Sequence, residues 1–159
     1  MNTIRLYPAA LFLVGVGALV TAYTAQFGFN LEPCVLCLYQ RVPFAISIVL
    51  GLIGLWRPQW LGAVFALAVA AFAINAGIAV YHVGVEQHWW ASAVGCGGTL
   101  PTQVSVADLM ASLERKPPKS CDAVDWTRFG ISMAGWNIIY SSGLAAASAY
   151  VLRTRKWET

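Results

Sequence analysis

The sequence predicts an all-α membrane protein, a four-transmembrane-helix bundle with both termini cytoplasmic and a long periplasmic loop. Three observations carry this. Of the 159 residues, 58% are hydrophobic and 11% charged, with a mean hydropathy of +0.64, whereas soluble domains are about one quarter charged. Four stretches hold no Asp, Glu, Lys or Arg: Leu6 to Leu31, Val42 to Trp56, Pro58 to Val85 and Phe129 to Leu152. Three of them exceed the roughly 20 residues that cross a bilayer. Arg5, Arg57, Arg153, Arg155 and Lys156 sit in the termini and one short turn, which the positive-inside rule assigns to the cytoplasm. So much apolar surface excludes a disordered chain, a nucleic-acid module and a soluble disulfide scaffold. The net charge of +3 is too small for polyanion binding. Residues 1–159 therefore read as a single membrane domain.

The first span covers about 6–29. Val20-Thr21-Ala22 has the small residues of a signal-peptide cleavage site, but the apolar run continues through Phe27 and Phe29, beyond a signal peptide's apolar region of about 7 to 15 residues. The second uncharged stretch has only 15 residues, about 22 Å of helix against a hydrocarbon core of about 30 Å. Its helix must begin earlier, with Pro33 in the first turn, so the span is set at 33–56 and takes in Cys34, Cys37 and Arg41. The third span covers about 60–85 and the fourth about 129–152, both rich in the small residues that let helices approach closely. Most tryptophans fall near span ends, where an aromatic belt is expected. The loop 86–128 carries four basic and five acidic residues and can lie outside, since long loops cross largely regardless of charge. Within it, Ser105 and Asp108 make a capping pair ahead of Val106, Leu109, Met110 and Leu113 at helical spacing, predicting a short amphipathic helix. Lys116-Pro117-Pro118-Lys119 then breaks it before Cys121.

All four cysteines, Cys34, Cys37, Cys96 and Cys121, fall on the predicted outer side, and an even count in an oxidising compartment implies two disulfides. A bridge between Cys34 and Cys37 closes too small a ring to act as a staple, and a helix N-terminus favours a thiolate, so this pair reads as redox-active, with either sulfur a candidate nucleophile. Structural bridging remains open for the two loop cysteines. A zinc site of four thiolates is not supported by the spacing, and no metal is expected. Cys96, flanked by Gly95, Gly97 and Gly98, has an accessible sulfur on adaptable backbone. Arg41, four residues past Cys37, shares its helical face and lies inside the membrane edge, where a charge is costly enough to suggest a task.

Pro33-Cys34-Val35-Leu36-Cys37-Leu38-Tyr39-Gln40-Arg41 near the start of the second span, Tyr81-His82-Val83-Gly84-Val85-Glu86 at the end of the third and a separated cysteine pair in the next loop together resemble the DsbB family. The resemblance covers the whole chain. It implies a bacterial inner-membrane thiol:quinone oxidoreductase that reoxidises a periplasmic DsbA-like oxidase of thioredoxin fold, as a monomer, with ubiquinone or menaquinone as acceptor. It further implies disulfides Cys34–Cys37 and Cys96–Cys121, with Cys96 taking the mixed disulfide and Cys121 passing the electrons to Cys34. Cys37 would then face the quinone beside Arg41. His82 matches in place a histidine near the quinone of that family, with Gln40 and Glu86 as weaker candidates. Two alternatives stand beside this: a related four-helix quinone-linked enzyme, such as the vitamin K epoxide reductase type, serving another thiol partner, or a non-enzymatic membrane subunit with structural disulfides.

Overall fold

The computed structural model describes residues 3–93, 119–124 and 126–154. Helix α1 (Thr3–Tyr23) runs into a π-helical turn, Thr24–Gly28, and is followed by α2 (Val35–Trp56). A 3-10 turn, Pro58–Trp60, leads into α3 (Leu61–Glu86). Strands β1 (Thr127–Arg128) and β2 (Ile131–Ser132) precede α4 (Met133–Thr154). Among the described residues there are thus four long helices, with α1 packed on α2, α2 on α3 and α3 on α4. The expected amphipathic helix at Ser105 to Leu113, and Cys96, lie outside the described residues.

Among the described residues, three segments are long and apolar enough to cross a membrane: Arg5–Gly28, Val35–Trp56 and Pro58–Glu86. Helix α4 has the length, 22 residues, but its hydropathy is diluted by polar groups, of which Ser141 and Ser148 are buried in the bundle. The distribution is inverted relative to a soluble protein. Gln40, Ser47, Asn75, His82, Ser141 and Ser148 are inside, while Leu13, Val20, Leu67, Ile74 and Ile139 are exposed, the arrangement of a bundle whose outer face meets hydrocarbon.

Small residues allow close helix contact. A side chain at Gly51 would place its Cβ 2.7 Å from both Cβ and the backbone nitrogen of Phe12, so α1 and α2 touch there through near-bare backbone. An apolar core of Leu11, Phe44, Leu50, Val64, Ala68 and Phe72 fills the bundle on the same stretch of the helices. Helix α3 ends in a Schellman motif, with His88 in the left-handed conformation (φ 59°) and hydrogen bonds from His88 N–H to the Val85 carbonyl and from Trp89 N–H to the Gly84 carbonyl.

Two boundaries differ from the sequence reading. Helix α2 begins at Val35 rather than 33, because Cys34 takes the extended N-cap conformation (φ −74°, ψ 171°) and its sulfur accepts the Cys37 N–H. The fourth helix begins at Met133 rather than 129, because a hairpin precedes it, pairing Thr127 with Ser132 and Arg128 with Ile131. Its turn residues Phe129 and Gly130 both have positive φ, 55° and 76°, the requirement of a two-residue type I′ turn. Ser132 closes the hairpin and also caps α4, its Oγ accepting the Gly135 N–H at 3.1 Å.

Candidate active site

Cys34 and Cys37 stand at the start of α2 as two thiols with their sulfurs 3.0 Å apart, not as the expected Cys34–Cys37 disulfide, whose sulfurs would be about 2.05 Å apart. The cap geometry accounts for the pairing. With Cys34 as N-cap, its Sγ accepts the Cys37 N–H at 3.3 Å, and its thiol donates to the Cys37 sulfur. His82 Nε2 reaches the Cys34 sulfur at 3.5 Å.

His82, the expected histidine, is buried and both of its ring nitrogens are engaged. The Gln40 amide nitrogen lies 3.1 Å from Nδ1, which leaves the ring proton on Nε2, toward Cys34. Asn137 on α4 donates to Gln40 Oε1 at 2.6 Å, Ser141 donates to Asn137 Oδ1 at 3.0 Å, and Asn75 on α3 donates to Ser141 Oγ at 2.9 Å. A continuous line of polar side chains thus runs from the thiol pair into the bundle, tying three helices together. Glu86, one turn beyond His82, puts Oε1 3.8 Å from Nε2 and accepts from the Ser132 hydroxyl through Oε2.

Arg41 occupies the expected face but not the expected contact. Its guanidinium turns to the end of α1, donating to Gln26 Oε1 at 2.7 Å and lying 4.9 Å above the Tyr23 ring. Cys121 is disulfide-bonded, with its bonding partner outside the described residues, and is buried in one apolar cluster with Cys34, Leu36 and Val85. The segment Lys119 to Val124 thereby covers the thiol pair. Exposed Asp122 is held below the usual carboxylate range first by the Ser120 hydroxyl and also by nearby His88.

Beneath this segment lies a cavity of about 690 Å³, walled by the end of α1, the start of α2 and the start of α4, with Cys34, Cys37, Arg41, His82 and Glu86 on its lining. Gln26, Asn75, Asn137 and Ser132 were not anticipated as members of the site. Their signal in the sequence is that each is a polar group in or beside an apolar stretch, which in a membrane protein marks a buried contact.

The family described as disulfide bond formation protein DsbB matches residues 4–151. Disulfide bond formation protein B of Xanthomonas campestris pv. campestris (strain 8004) is 32% identical over 163 aligned positions, covering 94% of this chain and 93% of that protein. The protein of the same name from Methylobacillus flagellatus is 32% identical over 138, covering 84% and 83%. That from Xylella fastidiosa (strain 9a5c) is 32% identical over 143, covering 84% and 81%. With matches that run nearly end to end and take in every described cysteine, the chain belongs to the DsbB family.

Proposed function

We propose that this protein is a membrane thiol:quinone oxidoreductase that generates disulfides by reoxidising a periplasmic DsbA-like thioredoxin-fold oxidase. The observation that carries the reading is the burial of Cys121 against Cys34, which brings a loop disulfide sulfur to the membrane-edge thiol pair. The partner's thiolate attacks Cys96 Sγ and breaks the Cys96–Cys121 bond, releasing the Cys121 thiolate. Cys121 then attacks Cys34 in an oxidised Cys34–Cys37 pair and frees Cys37. The partner's second thiol closes its own disulfide and releases Cys96, which attacks Cys121, re-forming Cys96–Cys121 and leaving Cys34 and Cys37 reduced.

A quinone, ubiquinone or menaquinone, supplies the sink for the two electrons and accompanying protons. The cavity suits such a ligand, falling within the roughly 300 to 1,000 Å³ of small-molecule sites. Cys37, Arg41 and His82 on its wall are the residues that would hold it. Arg41 offers a positive planar donor there, and His82 positions and donates to Cys34. In this reading α4 is the fourth span, its polar side turned inward. The chain acts as a monomer in the bacterial inner membrane, with its cysteines on the periplasmic side. The test mixes purified protein with a reduced thioredoxin-fold oxidase and added quinone and follows thiol loss and quinone reduction together. Loss of thiols without matching quinone reduction overturns it.

A further inference from the structure

Cys34 Sγ, Cys37 Sγ and His82 Nε2 all lie within 4.8 Å of one another. The two thiols come from one helix turn, and the imidazole is delivered by α3. A tetrahedral zinc ion, with bonds of about 2.3 Å to thiolate and about 2.0 to 2.1 Å to imidazole, holds its ligand atoms about 3.5 to 3.8 Å apart. The sulfur to imidazole separation of 3.5 Å already has that value, and the sulfurs, 3.0 Å apart, need only part slightly. We propose that the reduced Cys34, Cys37 and His82 form a zinc site whose fourth position faces the cavity, and that zinc holds the pair in its dithiol form.

Charge favours the ion. Two adjacent thiolates repel each other in a half-buried site, whereas two thiolates, a neutral imidazole and Zn²⁺ sum to zero. Binding replaces two S–H bonds with two S–Zn bonds, releases both protons and moves no electrons. The buried Glu86 carboxylate, 3.8 Å from Nε2, adds attraction for a cation. A metal-bound histidine donates its other ring N–H to an outer partner, and Gln40 stands in that place, 3.1 Å from Nδ1. Its amide turns its oxygen to Nδ1 when Nε2 ligates, and Asn137 turns with it to donate to Ser141 Oγ. A disulfide between Cys34 and Cys37 offers no thiolate, so the site exists in one redox state only. Zinc therefore opposes electron release. That consequence rests on the redox reading above, whereas the binding itself does not.

The experiment uses the full chain in detergent, carrying Cys96→Ser and Cys121→Ser so that one thiol pair remains, reduced and freed of reductant. Zinc is titrated against a chromogenic chelator, and cobalt is added in parallel to reveal thiolate charge-transfer absorption. The expected result is one zinc per reduced chain and none on the same protein oxidised to the Cys34–Cys37 disulfide. Cys34→Ser, Cys37→Ser or His82→Ala should weaken binding at least about 100-fold, and Gln40→Leu about 10- to 100-fold. Failure of the reduced chain to bind zinc, or equal binding by both redox forms, overturns the site. The redox comparison needs no further substitution, so a variant that misfolds does not mask the answer. Zinc binding with this pattern in a chain that never reduces quinone would sink the redox reading and leave the site standing. Unchanged turnover of the wild-type protein at saturating zinc would overturn the regulatory consequence.

Discussion

A single sulfur, Cys34 Sγ, caps α2 by accepting the Cys37 N–H, meets both the Cys37 sulfur and His82 Nε2, and lies in the same apolar cluster as Cys121. The proposed relay order is compatible with that position, and Cys121→Ser tests it. The partner oxidase should then accumulate as a mixed disulfide at Cys96, resolved by peptide mapping, and an adduct at Cys34 would reverse the order. In the proposed function Arg41 serves the acceptor side. A charge-assisted hydrogen bond is worth about 1.5 to 3 kcal/mol, so Arg41→Ala should lower the quinone step roughly ten- to more than a hundredfold while sparing thiol exchange. Arg41→Lys keeps the charge without the planar fork and should retain part of the activity. Because Gln26 fixes the guanidinium, Gln26→Leu should show a milder form of the same defect. Steady-state kinetics varying quinone and thiol partner separately decide the matter, and an unchanged quinone dependence in Arg41→Ala would reduce Arg41 to a lipid-facing anchor.

Helix α2 delivers the site because its N-terminus, rather than its middle, meets the end of α3 and the start of α4. Helix α1 packs closely on it, and Gly51, like Gly15 on α1, leaves no room for a side chain in that contact. Gly51→Val forces a branched side chain into the Phe12 backbone and should destabilise the fold by about 1 to 3 kcal/mol, read as a lower midpoint in detergent denaturation. Gly143→Ala on α4, where an added Cβ has nothing within 4 Å, serves as the contrast and should be neutral or slightly stabilising. Equal effects at the two positions would show that the α1/α2 contact is not the tight one.

For the molecule as a whole, Arg57 at one end of α2 and Cys34 at the other are separated by a helix of 22 residues, about 33 Å long and sufficient to cross the hydrocarbon core. The basic residues should face the cytoplasm and all four cysteines the periplasm. In intact spheroplasts a membrane-impermeant thiol reagent should label the reduced cysteines as fully as it does in lysed membranes. Labelling only after lysis would invert the topology.

The sequence by itself determined the long helices, the membrane character and the closeness of Cys34 and Cys37, because each depends on composition or spacing over a few turns. Long uncharged stretches are demanded by the bilayer, and two cysteines separated by two residues meet on one turn wherever the helix lies. Local information fell short at 129–132, where Phe129-Gly130 lacks the usual Asn-Gly signature and the second half of the hairpin reads as helix. Only the tertiary structure decided the company those cysteines keep. His82 is 48 positions from Cys34, and Asn137 is 97 from Gln40. Contacts across such distances depend on which faces of α2, α3 and α4 pack together, and the apolar periodicity of a membrane span does not encode that, since nearly every face of the helix is apolar. Arg41 shows the same limit. Spacing placed it on the face of Cys37, but the packing of the end of α1 beside α2 gives its guanidinium Gln26 and Tyr23 as partners.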